Sequence, residues 1–284
     1  MKLSENIKMG KVVLNVQNMD NMKKFYSAIL GMPILSEGEE EVAFGAMESD
    51  EVLLVLRQAA EGATRKKAAG MYHFALLVPE RGDLGTILRH IIQVQYPLIG
   101  ASDHGYSEAI YLNDPEGNGI EIYWDKPVSE WDIRDNGEIV GITIQMDAEG
   151  VLGASRETYT GMPEGTYMGH IHLFVADLQK SDHFYKDVLG MDLKYNFGAQ
   201  AKFFAAGLYH HHIGTNTWGG SDLAAPQSGD LGMEYYTILV EDAAELDRIE
   251  ERFAQSGDVT FERVSADKIA AKDPNGIALH IEVA

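Results

Sequence analysis

The feature that most constrains the fold is an internal repeat with a spacing of 159 residues. The segment NMKKFYSAILGMPIL at 21–35 resembles KSDHFYKDVLGMDLK at 180–194, and both share FY and LGM at matching positions. The turn DPEGNGIEI that begins at Asp114 recurs with the same spacing as DPNGIALHI at Asp273. Because two separate features share one spacing, the chain contains two homologous halves.

Each half has the same order of elements. A short apolar strand precedes a helix that ends at Leu-Gly-Met, where glycine suits the C-terminal cap. Short strands, a second strand–helix unit, an Asp-Pro turn and a last strand follow, so each half is a pair of βαβββ modules. We predict an N-terminal domain at 1–126, a linker at 127–167 with many glycines and turn formers, and a C-terminal domain at 168–284.

Composition and charge exclude several classes of protein. The net charge of −21 and the pI near 4.7 disfavour binding to nucleic acid or to anionic membranes. The chain has no cysteine, so a metal site would have to use His, Asp, Glu or Tyr. Neither a secretory signal nor a membrane-spanning run is recognisable, and we expect a cytoplasmic protein. The oligomeric state is open, with a homo-oligomer as one option.

Histidines recur on three predicted strands of the C-terminal half. Side chains alternate between the faces of a strand, so His170 and His172 in HIHLFV share the face that helices leave open. In IALHIEV the same reasoning places His280 on that face. Polar side chains that collect on one uncovered face indicate a concave pocket.

The segment YHHHIGT contributes three further histidines. If it is a regular strand, His210 and His212 face the pocket, whereas His211 faces the helices together with Ile213. We predict that His170, His212 and His280 bind a divalent metal such as Fe, Mn, Ni or Zn.

These residues resemble the vicinal-oxygen-chelate superfamily, which includes glyoxalase I, bleomycin-binding proteins and the type I extradiol dioxygenases. The resemblance rests on GHIHLFVADLQKSDHFYKDVLGMDL and on the paired DPEGNGIEI and DPNGIALHI. The YHHHIG-NTW pattern is similar to the two-domain catechol-2,3-dioxygenase group. The resemblance implies an α+β fold in which two tandem domains, each a pair of βαβββ modules, form curved mixed sheets around a cavity.

The resemblance also implies three ligand positions in each half. The opening position holds Lys11 in the first half and His170 in the second. The position after the Asp-Pro turn holds Glu121 and His280, and the strand of the second module offers His73 and Tyr235. Because an ammonium group does not bind a cation, we predict that the N-terminal site is incomplete and that the metal lies in the C-terminal domain.

The family likeness leaves three functions open. The first is extradiol cleavage of a small aromatic diol, with a histidine as general base. For this reaction the resemblance implies Fe(II) as the first choice of metal, with Mn, Ni or Zn as alternatives, and His210, Tyr235 and His172 as catalytic residues. Its family tyrosine is present as Tyr111 in the first half but is replaced by Ala270 in the second. The second is a glyoxalase-like lyase or isomerase, in which a carboxylate such as Glu282 moves the proton. The third is a small-molecule-binding protein without catalysis.

Overall fold

The computed structural model describes residues 2–156 and 158–284. In the N-terminal half the elements are β1 (Lys8–Val16), α1 (Met19–Lys24), β2 (Ile34–Glu37), β3 (Glu41–Phe44), β4 (Leu54–Gln58), β5 (Gly70–Leu77), α2 (Arg81–Gln93), β6 (Gly100–Asp103), β7 (Ser107–Asn113) and β8 (Gly119–Asp125). The connecting segment contains β9 (Ile144–Gln145) and α3 (Ala148–Ala154). The C-terminal half consists of β10 (Tyr167–Phe174), α4 (Leu178–Asp182), β11 (Asp192–Phe197), β12 (Ala201–Ala205), β13 (Ile213–Asn216), β14 (Gly232–Val240), α5 (Ala243–Ser256), β15 (Thr260–Ser265), β16 (Lys268–Lys272) and β17 (Ala278–Val283).

The first helix of each half ends as the sequence predicts. Both α1 and α4 continue into a short π-helical stretch, and the glycine of Leu-Gly-Met follows it. Gly31 has a φ of +58° and Gly190 a φ of +91°, a backbone conformation that side chains other than glycine rarely adopt. The chain therefore turns back towards the sheet at the same place in both halves.

The strands form two mixed sheets. One has eight strands in the order β15-β16-β17-β14-β1-β4-β3-β2, and the other has nine in the order β11-β12-β13-β10-β5-β8-β7-β6-β9. The predicted α+β fold with curved mixed sheets is confirmed. Each sheet, however, joins one module of each half, through the antiparallel pairs β1–β14 and β10–β5. This exchange of modules is not apparent from the repeat in the sequence.

The segment predicted as a linker contributes to the nine-stranded sheet. β9 pairs with β6 at its edge, and α3 packs against α2. No helix in the described part of the chain is both long and apolar enough to cross a membrane.

Candidate metal centre

Three neighbouring strands of the nine-stranded sheet bring His73, Glu121 and His170 together. In the strand register, both Glu121 of β8 and His170 of β10 lie opposite Ala75 of β5, one on each side. His73 lies two positions from Ala75 on the same strand and therefore projects from the same face. Because Ala75 has only a methyl side chain, the three larger groups have room to converge above it.

The donor atoms of this triad lie within metal-binding distance of one another. One atom from each residue lies within 4.8 Å of the other two, and all three side chains are buried. The Nε2 atoms of His73 and His170 lie 3.0 and 3.2 Å from the same carboxylate oxygen of Glu121. The His73 contact lacks hydrogen-bond alignment, so this buried nitrogen has no hydrogen-bond partner among the described residues. Two imidazoles and a carboxylate that meet at one point fit a divalent metal.

The electrostatics of the triad favour an ionised carboxylate beside neutral imidazole. Burial alone would raise the pKa of Glu121, but the neighbouring imidazoles of His170 and His73 hold that pKa well below its usual range. Burial lowers the pKa of His170 to about 4, although Glu121 opposes this shift. These protonation states are the ones that metal ligands require.

The triad lines a cavity of about 480 Å³. Tyr111 and His104 line its polar part, and their side chains form a hydrogen bond of 2.6 Å. The carbonyl of Ile142 accepts a hydrogen bond from His104 Nδ1, which leaves His104 Nε2 to accept from the Tyr111 hydroxyl. Apolar and aromatic side chains line the remainder: Ile99, Ile142, Tyr72, Tyr195, Phe197, Phe203 and Trp218. The cavity thus combines a candidate metal site with walls suited to a flat, apolar ring.

Two histidines predicted from parity have changed places. His211 lines the cavity, and its ring centroid lies 4.2 Å from that of His170. His210, predicted to face the pocket, is buried against the ring of Tyr106 and bonds to Asp125. The reason is that β13 begins only at Ile213, so residues 209–212 do not alternate as a strand. His172 lines the cavity, as parity predicts.

The predicted ligand set of His170, His212 and His280 is not brought together and is corrected here. His280 lies on β17 in the eight-stranded sheet, whereas His170 lies in the nine-stranded sheet. His212 accepts a hydrogen bond of 3.3 Å from the backbone N–H of Ala206 and lines a different cavity. Tyr235 stacks on His280 in the eight-stranded sheet and does not line the cavity beside the triad.

The eight-stranded sheet carries the repeat counterpart of the triad. Lys11, Tyr235 and His280 occupy the positions that correspond to His170, His73 and Glu121. Lys11 forms an ion pair of 3.2 Å with Glu282, which also binds Lys268 at 3.0 Å. Glu282 is therefore paired with cations in the other sheet, remote from the triad in the fold.

Sequence reasoning had noted His73 and Glu121 at ligand positions but had assigned them to an incomplete N-terminal site. The structure completes that set with His170 of the other half, because β10 pairs with β5. One sequence signal was available. The family pattern requires a histidine at the first two ligand positions and a glutamate at the last. Neither half has all three, but His170 of the second half together with His73 and Glu121 of the first half gives the full set.

The fold is that of a known superfamily, and the triad could hold a divalent metal. The model of the Glyoxalase/Bleomycin resistance protein/Dioxygenase superfamily matches residues 8–122 and again 167–281. The chain belongs to this superfamily.

Relatives with names or structures include dioxygenases and glyoxalases. A catechol-2,3-dioxygenase of Bacillus subtilis (strain 168) is 37% identical over 276 residues, which cover 96% of this chain and 95% of the relative. A crystal structure of a putative dioxygenase from the same species superposes with a TM-score of 0.68 at 13% identity, over 100% of this chain and 86% of that one. Glyoxalase I from Zea mays gives a TM-score of 0.60 at 14% identity, over 98% and 92% of the two chains. The two structural likenesses bear on the fold alone.

Proposed function

We propose that the protein is an extradiol ring-cleavage dioxygenase of the catechol-2,3 type that uses Fe(II). The observation that carries the proposal is the convergence of His73, Glu121 and His170 in the wall of a cavity that is also lined by aromatic side chains. Two histidines and one carboxylate form the donor set typical of non-haem Fe(II) oxygenases. The catechol-2,3-dioxygenase relative supports the same reaction.

The residues around the triad have the chemistry that a catechol substrate needs. Iron bound by the triad would supply open coordination positions and the redox chemistry of oxygen insertion. The imidazole of His211 lines the cavity beside His170, where it can accept a proton from a catechol hydroxyl. Burial lowers its pKa well below the usual range, so the ring is neutral before a substrate binds. The Tyr111 hydroxyl lies in the same cavity and remains protonated, because burial and the nearby Glu121 charge raise its pKa.

The cavity walls hold the ring and exclude water. Phe203 and Trp218 come from the C-terminal half, while Ile142 and Tyr72 come from the first half and the segment that follows it. Aromatic side chains present flat surfaces on which a catechol ring can stack. We propose that these side chains orient the catechol ring so that its hydroxyl groups face the triad and His211.

The glyoxalase-like alternative loses the base that sequence analysis suggested for it. Glu282 is bound by Lys11 and Lys268 in the eight-stranded sheet. A lyase at the triad would therefore have to move protons with a different carboxylate.

The test is to load untagged protein anaerobically with Fe(II), add catechol, and record oxygen uptake and the absorbance of the yellow ring-cleavage product. We expect one iron per chain and consumption of one O2 per catechol. Metal-loaded protein that consumes no oxygen and forms no yellow product would overturn the proposal.

A pair of variants separates the two ligand sets. Glu121→Gln removes the anionic ligand of the triad, and we expect it to lose both the bound iron and the oxygen uptake. His280→Gln is the matched control, because His280 lies in the other sheet, and we expect it to keep both. If Glu121→Gln kept the metal and His280→Gln lost it, the assignment of the triad as the metal ligands would be contradicted.

A further inference from the structure

The proposed function leaves His210 without a role, although it is buried beside the cavity. Its ring stacks on Tyr106, with centroids 4.2 Å apart and planes 10° from parallel. Both of its nitrogens are bonded: Nε2 lies 2.9 Å from Asp125 Oδ1, and Nδ1 lies 2.8 Å from Nδ1 of His211. A continuous chain of hydrogen bonds therefore runs from Asp125 to the histidine that lines the cavity.

Asp125 is held in place at the other end of this chain. It ends β8, the strand that carries Glu121, and its Oδ2 atom accepts a hydrogen bond of 3.0 Å from the Tyr209 hydroxyl. The Tyr209 hydroxyl is in turn 2.7 Å from that of Tyr123. The Asp125 side chain is about one-fifth exposed, so its carboxylate keeps contact with water.

The order of donors and acceptors along the chain follows from the carboxylate. An ionised carboxylate can only accept, so Nε2 of His210 carries the proton that it donates to Asp125. In a neutral His210 the other nitrogen, Nδ1, is then an acceptor. His211 must therefore hold its own proton on Nδ1 and donate it to His210.

We infer that Asp125, acting through His210, fixes His211 in the tautomer that has its proton on Nδ1 and a lone pair on Nε2. His210 occupies the Nδ1 side of His211, so Nε2 is the nitrogen that remains for a ligand in the cavity. In this tautomer His211 can accept a proton from a substrate hydroxyl, whereas in the other it can only donate one. Asp125 and His210 are thus positioning residues for the general base, an inference that rests on the proposed function.

The direct test is the protonation state of His211 in the full chain. We would record nitrogen-15 NMR spectra of protein labelled at histidine, with zinc as a diamagnetic metal, and assign His211 by its loss in His211→Gln. We expect its Nδ1 to be protonated and its Nε2 unprotonated. A proton on Nε2 in the wild-type protein would overturn the inference.

Two substitutions of His210 separate a hydrogen-bonding role from a packing role. His210→Phe keeps a ring against Tyr106 but removes the acceptor, so we expect His211 to move towards the Nε2-protonated form. His210→Asn places an amide oxygen near the position of Nδ1, and we expect it to keep the wild-type tautomer. Equal spectra for the two variants would contradict a role for the acceptor.

Asp125→Ala gives a second route that leaves the ring stack in place. We expect the Nδ1-protonated fraction of His211 to fall, while Asp132→Ala, which removes an exposed carboxylate paired with Arg134, leaves it unchanged. An unchanged fraction in Asp125→Ala would also count against the inference.

The kinetic readout distinguishes this inference from the proposed function. In iron-loaded His210→Phe we expect kcat for catechol to fall by about tenfold or more, since general bases contribute about 10²–10⁴-fold, with KM and iron content retained. His210→Asn should keep most of the wild-type rate. A wild-type protein inactive on catechol refutes the proposed function, and the spectra then still decide the tautomer.

Discussion

At the scale of single residues, three consecutive histidines have three different environments. His210 bonds to Asp125, His211 lines the cavity, and His212 accepts a hydrogen bond from the backbone N–H of Ala206. His212 must be neutral at Nδ1 to accept this bond. Burial lowers its pKa to about 3.

This environment predicts how stability depends on pH. The pKa of His212 in the folded state is below its value near 6.5 in the unfolded state. Below pH 6.5 the unfolded chain therefore binds a proton at His212, whereas the folded chain does not. The contribution of His212 is complete above pH 6.5 and is lost progressively as the pH falls towards 3. In His212→Asn the amide oxygen can accept the hydrogen bond from Ala206. Between pH 7 and pH 5 we expect the free energy of unfolding of this variant to fall by about 2 kcal/mol less than that of the wild type.

Urea unfolding of the metal-free protein at several pH values measures this difference. His183→Gln is the matched control, because His183 is about half exposed, and its pH dependence should match that of the wild type. Identical slopes for His212→Asn and the wild type would refute the assignment.

Residue patterns alone predicted His170 and His172 on one open face but could not place the ligands. Parity failed at 209–212 because it presumes a strand, and the hydrogen-bonded ladder starts at Ile213. Lys11 predicts that the first half lacks one ligand. Which side chain replaces it depends on the pairing of β10 with β5, which local sequence does not encode.

At the scale of elements, the parallel pair β5–β8 sets the separation of His73 and Glu121. Gly119 lies opposite His73 in this pair, and a Cβ atom there would be 2.1 Å from the carbonyl oxygen of Tyr72. The contact is with backbone, so the strands would have to move apart. Glycine is needed here for close approach, since its φ is not in the left-handed region.

We therefore expect Gly119→Ala to destabilise the protein by about 1–3 kcal/mol and to weaken metal binding. The control is Gly100→Ala in β6, since a Cβ atom at Gly100 would have nothing within 4 Å. Thermal unfolding and metal titration of both variants provide the measurements. Wild-type metal affinity in Gly119→Ala would show that the strand spacing does not control the triad.

Helix ends could be predicted from the sequence, whereas the pairing of strands in the sheets could not. Gly31 and Gly190 mark the ends of their helices, because a positive φ is a local requirement that glycine meets. The exchange of modules between sheets depends instead on long-range strand pairing. It leaves the triad in one sheet, whereas at the equivalent place in the other sheet Lys11 forms an ion pair with Glu282.

At the scale of the whole molecule, charge and cavity lining predict which catechols are accepted. The chain carries a net charge of −21, and no lysine or arginine occurs among the described residues that line the cavity. Phe203, Trp218 and Ile142 are apolar walls that give a substrate carboxylate no partner. An anionic ring substituent would lose hydration without gaining an ion pair.

We expect kcat/KM for 4-methylcatechol to exceed that for 3,4-dihydroxybenzoate by about tenfold or more at low ionic strength, because the field of the protein slows the approach of the anion. Salt screens exposed charges over about 10 Å at 0.1 M, so the ratio should narrow as salt is added. Ile142→Arg, at the partly exposed rim of the cavity, should raise the efficiency with the carboxylated substrate while leaving the neutral one nearly unchanged. Equal efficiencies at every ionic strength would mean that neither the field nor the wall selects the substrate.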